Sequence, residues 1–188
     1  MTDRSPQRPG FSHRIATPDD AAEISSLMNV AIGELQKDFL SPEQIAVSRS
    51  IMGLDRTLIA DGTYFLIHDG ETGRLAASGG WSRRATLYGG DHTAAQRNDA
   101  LLRPGTDAAR IRAMYTHPDF TRRGLGRMIL SLCENAARAE GFTRLEMGAT
   151  LAGVPLYEAC GYRLIEHTIG ASADGVDVPV LRMGKTLA

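Results

Sequence analysis

The sequence predicts an α/β (α+β) protein with a mixed central β-sheet of about six or seven strands and helices on both faces. Three observations carry that reading. Apolar residues recur at helical spacing at Ile24, Leu27, Met28, Ala31 and Leu35, and again at Leu125, Ile129, Leu132 and Ala136. Between these stretches the pattern turns extended, in "YFLIHDGETGRLAASGGWS" and "ARIRAMYT". A strand–helix–strand order in the second half demands a crossover between parallel strands, so the sheet is not purely antiparallel.

The elements follow in order. "MTDRSPQRPGF" is rich in Pro, Arg and Ser and reads as a mobile tail over residues 1–11, with one domain over 12–188. A short strand is expected at Arg14–Ala16. In "TPDD", Thr17 caps, Pro18 takes the first helical position, and Asp19 and Asp20 meet the positive end of the dipole. "SPEQ" repeats the signal as a capping box closed by Gln44, with a weaker helix running toward Gly53. Asp69, Gly70 and Gly73 mark the turn of a β-hairpin. Residues 83–107 then lose all periodicity, which in a compact domain marks a functional or a mobile loop.

"ARIRAMYT" ends as a strand at His117-Pro118. The helix after it pairs Glu134 with Arg138 on its outer face and stops at Gly141. A strand at "RLEMGA", a short helix at "VPLYEA", and closing strands at "YRLIEHTI" and "VPVLRM" complete the chain.

Composition excludes several function classes. Hydrophobic residues make up 43% and charged residues 23% of the 188 residues, as in ordinary globular proteins and unlike disordered ones. The formal net charge of -1 supplies no global field toward nucleic acid or acidic membranes. Cys133 and Cys160 lack metal or redox spacing, and neither a leader nor a membrane span is legible. The expected location is cytoplasmic, with no metal, no nucleic-acid partner and no membrane partner.

One stretch calls for chemistry. "THPDFTRRGLGRMIL" feeds an apolar strand into a glycine-rich turn and a helix, with Arg122, Arg123 and Arg127 around Gly124, Leu125 and Gly126. Free N–H groups at a helix start, backbone bared by glycine and positive charge together suit a phosphate. The same residues also suit a nucleic-acid patch or an ordinary helix start. A P-loop is excluded by the missing Lys-Ser/Thr, and a dinucleotide fingerprint by the missing third glycine.

"T-R-R-G-L-G" (Thr121 to Gly126), behind "THP", resembles the cofactor turn of the GNAT superfamily of acyl-CoA-dependent N-acetyltransferases. Thr121 stands where that family prefers Gln or Arg. "VPLYEACGY" (Val154 to Tyr162) is similar to the family's later segment, whose tyrosine matches Tyr157. The resemblance implies a GNAT fold and acetyl transfer from acetyl-CoA to a primary amine of a small molecule or peptide, by direct attack in a ternary complex. It implies that the turn N–H groups of residues 122–127 hold the diphosphate. The strand end Met114, Tyr115 and Thr116 would pair with the pantetheine arm and lend an N–H to the carbonyl oxygen. Tyr157 would be the general acid, since a phenol of pKa ~10 can protonate a thiolate within reach.

The base stays open among Glu146, Asp91, His92, His117 and a water chain. Trp81, Tyr88, Asp91 and His92 are the candidates for the acceptor site, with Asp91 able to pair with a cationic amine. Dimers are frequent in the family, so a homodimer is open. Two other readings share these residues: an acyl-CoA-binding regulator without turnover, and a nucleic-acid binder using the Arg-rich loop.

Overall fold

The computed structural model describes residues 10–91, 97–173 and 175–187. Among them, seven strands form one sheet: β1 (Phe11–Ile15), β2 (Tyr64–Asp69), β3 (Leu75–Ser82), β4 (Ala109–Thr116), β5 (Arg144–Ala149), β6 (Arg163–Ala173) and β7 (Val176–Thr186). The spatial order is β1-β2-β3-β4-β5-β7-β6. Every neighbouring pair is antiparallel except β4 and β5, the parallel pair that the crossover required. The helices are α1 (Ala21–Leu35), α2 (Pro42–Ile51), α3 (Arg56–Ala60), α4 (Leu125–Ala139) and α5 (Val154–Ala159).

The helical stripes read in the sequence are the buried faces. Ile24, Leu27, Met28 and Ala31 of α1 pack with Leu58, Tyr64 and Leu66 on one side of the sheet. Leu125, Ile129, Leu132 and Cys133 of α4 pack with Trp81, Phe142 and Met183 on the other. Each such large apolar side chain contributes about 1.5–3 kcal/mol relative to exposure. None of the described helices is long and apolar enough to cross a membrane.

The predicted capping box forms: Ser41 Oγ accepts from Gln44 N–H at 3.2 Å, and Gln44 Oε1 accepts from Ser41 N–H at 3.0 Å. The hairpin turn also forms where expected, with Gly73 at φ +69° and the Asp69 carboxylate accepting from Thr72 N–H at 3.1 Å.

Four local expectations are corrected. The first strand is Phe11–Ile15 rather than Arg14–Ala16, because Phe11 packs edge-on against Phe120 with ring centroids 6.2 Å apart. Thr17 is the N-cap as read, with its N–H and hydroxyl both donating to the Asp20 carboxylate, but the turn it opens is a 3-10 turn at Pro18–Asp20 that precedes the α-helix. Glu134 does not pair with Arg138. It turns toward β7 and accepts from Lys185 Nζ at 2.8 Å and Tyr162 Oη at 3.1 Å, while Arg138 donates to Asn135. The fourth is an omission, since α3 follows Asp55, whose carboxylate accepts from Thr57 N–H at 3.1 Å.

Candidate active site

The site begins where the parallel pair stops. β4 and β5 are paired only at Ala109–Leu145 and Arg110–Glu146, and beyond that point both strands run on unpaired to each other. Glu146 accepts from Arg110 and from Arg182 of β7 at 2.8 Å, so one carboxylate pins three strands at the base of the split. A cavity of about 340 Å³ occupies the gap. That volume is in the lower range of small-molecule sites.

β4 carries a bulge within this gap. The register with β3 skips between Ser78–Tyr115 and Gly80–Arg112, and Ala113 holds φ +51°, an uncommon value for a residue with a Cβ. A buried hydroxyl pair supports it: Tyr64 Oη donates to Ala113 O at 2.9 Å and lies 2.9 Å from Ser78 Oγ. Burial pushes the Tyr64 phenol well above its ordinary value, so it remains a donor.

Beside the bulge lies the glycine-rich turn. Arg122 has φ +61° and Gly124 φ +78°, and the alternation turns successive N–H groups to one side. The first helical hydrogen bond is Met128 N–H to Gly124 O at 3.1 Å. Among the described residues, the N–H groups of 122–127 have no protein acceptor. Glycine at 126 is a packing requirement as well: a Cβ there would stand 2.5 Å from Leu156 Cδ2. Backbone without acceptors therefore lies at the positive end of a fifteen-residue helix, and Gly126 brings it to the cavity wall.

The arginines divide. Arg123 stacks over the Phe120 ring at 5.2 Å, as does Arg74 at the same distance, whereas Arg122 and Arg127 are exposed and form no ion pair among the described residues. Thr121 lines the cavity, but its hydroxyl turns back to donate to Pro118 O at 3.0 Å.

Tyr157 projects from α5 into the same cavity. It is 9% exposed, and its hydroxyl makes no hydrogen bond among the described residues. Burial, then the neighbouring Cys160, pushes the phenol up to about 12. Its ring rests on Gly153, where a Cβ would meet Cε2 at 2.5 Å, so the glycine makes room for the tyrosine. Of the predicted cofactor residues, Met114, Tyr115, Thr116 and Gly126 line the cavity too, whereas Arg122, Arg123, Gly124, Leu125 and Arg127 do not.

The acceptor candidates fare differently. Tyr88 lines the cavity and packs on Gly148. Trp81 does not: it is a core residue, edge-on to Phe142 at 6.0 Å, with Arg83 over its ring. Asp91 is not free to receive a cation, because Arg56 donates to it from N–H at 3.0 Å and from Nη1 at 2.7 Å. His92 lies outside the described residues. Of the remaining base candidates, Glu146 is clamped by its two arginines, and His117 Nδ1 accepts from Asp119 N–H at 3.2 Å as a cap. Cys133 is buried in the core and Cys160 is half-buried; burial raises both thiols.

The site also contains residues that the sequence reading did not assign to an acetyl-transfer site. Arg112 of β4 is 3% exposed and lines the cavity. It donates to Asp55 at 2.9 Å, to Thr86 O at 3.0 Å and to Gly89 O at 2.5 Å, tying the irregular loop and the start of α3 to the central strand. Burial pulls its guanidinium down from its ordinary value, and Asp55 opposes the shift. Arg97 supports the same carboxylate at 3.1 Å. Gln36, after α1, is a buried lining residue whose Oε1 lacks a partner. The available signal was the pair Arg110 and Arg112 alternating in an otherwise apolar strand.

Comparison with known proteins gives the family and the fold. The family described as "Acetyltransferase (GNAT) family" matches residues 31–162. No curated protein matches the chain by sequence. Similar solved structures include a GCN5-related N-acetyltransferase from Rhodopseudomonas palustris, 20% identical over 94% of this chain and 95% of that one, with a TM-score of 0.65. Another is yncA from Salmonella typhimurium, with its cofactor acetyl-CoA, 16% identical over 95% of each chain, with a TM-score of 0.61. A third is the paia N-acetyltransferase from Thermoplasma acidophilum in complex with coenzyme A, 13% identical over 94% and 98%, with a TM-score of 0.59. At these identities the likeness is one of fold.

Proposed function

The chain belongs to the GNAT acetyltransferase family, and from that premise we propose that it transfers an acetyl group from acetyl-CoA to a primary amine by direct attack in a ternary complex. The observation that carries the proposal is that the open edge of β4, the Tyr157 side chain and Gly126 of the glycine-rich turn, whose N–H groups over 122–127 have no acceptor among the described residues, meet at one cavity. The residues fit the cofactor: a bare backbone cradle at a helix N-terminus suits a diphosphate, and an unpaired strand edge suits the amides of pantetheine.

Acetyl-CoA supplies the acyl group as a thioester, and transfer makes one N–C bond, breaks one C–S bond, puts one proton on sulfur and frees one from nitrogen. Tyr157 gives the first proton. Burial keeps it protonated at neutral pH but makes it a weaker acid than a thiol. The phenol therefore hydrogen-bonds the sulfur as charge develops, and its proton passes only as the C–S bond breaks, drawn on by reprotonation from solvent. Gly153 leaves room for its ring, and Leu156 packs α5 against Gly126 at the start of α4. The bulge at Ala113, braced by Tyr64, orients backbone toward the acyl oxygen. Among the described candidates, Glu146, His117 and Asp91 are engaged elsewhere, which favours water as the carrier of the second proton, and Tyr157 is reprotonated from solvent.

The test compares the parent protein with Tyr157→Phe. Titration calorimetry should give saturable acetyl-CoA binding, on the order of micromolar, for both. The Phe variant should lose about 100-fold or more in kcat. Turnover at the parent rate would remove Tyr157 from the role of acid, and absence of binding to the parent would remove the enzyme reading itself.

A further inference from the structure

The acceptor end of the cavity has its own chemistry. Ile32, Leu35, Phe39, Leu87, Val178 and Val180 wall it, and Phe39 stands 47% exposed at its margin, a large aromatic left in water beside an apolar hollow. Among the described lining residues, Arg112 alone carries a formal charge. That charge is met by Asp55, and its remaining donors go to Thr86 O and Gly89 O. The buried acceptor in the wall that lacks a partner, Gln36 Oε1, is uncharged.

A cationic body entering such walls would shed its hydration and find no carboxylate in exchange, which is strongly unfavourable. An aryl or branched alkyl body would gain from the same burial. The amine nitrogen itself must arrive with its lone pair free. No described carboxylate or imidazole lines the cavity to strip a proton from it.

We propose that the acceptor is a primary amine on an apolar, otherwise uncharged body, an aryl-alkyl or branched alkyl amine, that enters as the free base and rests against Phe39. This inference rests on the acetyl-transfer reading above. It excludes polyamines, aminoglycosides and lysine side chains of basic peptides as preferred substrates.

The experiment first titrates the protein with acetyl-CoA, then measures thiol release with 2-phenylethylamine, spermidine and a lysine-containing basic peptide. The expected result is kcat/KM for phenylethylamine at least about 100-fold above the other two. For that amine, kcat/KM should rise about tenfold per pH unit until the amine's own pKa is reached. Phe39→Ala, a substitution at an exposed position, should raise the KM for phenylethylamine about fivefold or more and leave the acetyl-CoA isotherm in place. Preference for spermidine or the peptide would overturn the inference while the acetyl-CoA reading stands, as would acetyl-CoA binding with no apolar amine accepted. Absence of acetyl-CoA binding would remove the underlying reading, and this one with it.

Discussion

The two ends of the cavity are made of different material. At the proposed cofactor end, the groups on offer are main-chain N–H groups of residues 122–127 and the edge of β4, and side chains serve mainly to leave the backbone bare: Gly124 by adopting φ +78°, Gly126 by leaving space for Leu156. At the acceptor end, the groups are apolar side chains from α1, the loop at 87–89 and β7, held apart by a buried ion pair between Arg112 and Asp55. Backbone recognition is local and needs only a short motif. Side-chain recognition is assembled from elements far apart in the chain, so it can vary without disturbing the cofactor. The two ends should therefore fail separately.

Removing the Arg112 guanidinium tests that separation with the largest expected effect. Arg112→Ala strands Asp55 with Arg97 as its remaining cation and releases Thr86 O and Gly89 O. Breaking a buried pair from one side costs about 3–5 kcal/mol, and the surviving Arg97 contact puts this case near about 3. For a chain of this size that lowers Tm by about 6–12 °C. In the folded fraction, the KM of the acceptor should rise about tenfold while acetyl-CoA affinity stays within about twofold. An equal loss of acetyl-CoA affinity would mean that the two ends are one mechanical unit.

Gly124→Val attacks the other end. A β-branched residue at φ +78° is strained, and the turn must reorganise to relieve it. Losing two charge-assisted N–H contacts at about 1.5–3 kcal/mol each predicts a drop of about 100-fold or more in acetyl-CoA affinity. Gly124→Asn, which tolerates the left-handed region, should retain most of the binding. Calorimetry on both variants separates a conformational cause from mere bulk: equal losses would show that space, not φ, is what the position protects.

Legibility in the sequence followed the same division. The glycine-rich turn was readable because its signal is contiguous, glycines with arginines between a strand and a helix. The sheet and the long helices were readable from their periods of two and 3.6. What escaped was short or long-range. α3 has five residues, fewer than periodicity can register. Trp81 suggested a binding aromatic, but the sequence does not show that its strand turns that face toward Phe142. Asp91 and Glu146 stood out as free acids because their arginine partners, Arg56, Arg110 and Arg182, come from other elements. Arg112 was visible only as one arginine among many, and its burial depends on a bulge that no local pattern announced.

The smallest predicted effect decides how the cofactor end divides its labour. Arg127 sits in the first turn of α4, exposed and without an ion-pair partner among the described residues, so it is available to a bound diphosphate. An exposed charge at that position acts through solvent and is screened, since the Debye length falls from about 10 Å at 0.1 M salt to about 3 Å at 1 M. Arg127→Ala should therefore weaken acetyl-CoA binding by about three- to fivefold at low salt, with the gap closing as salt rises. The N–H cradle lies at contact distance and is fixed by covalent geometry, so its contribution should survive the salt. If the variant's deficit persists at high salt, Arg127 makes a desolvated contact and belongs to the cradle. If no deficit appears at low salt, the backbone holds the anion by itself, and the arginines that first drew attention to this turn serve its surroundings, as Arg123 already does by stacking on Phe120.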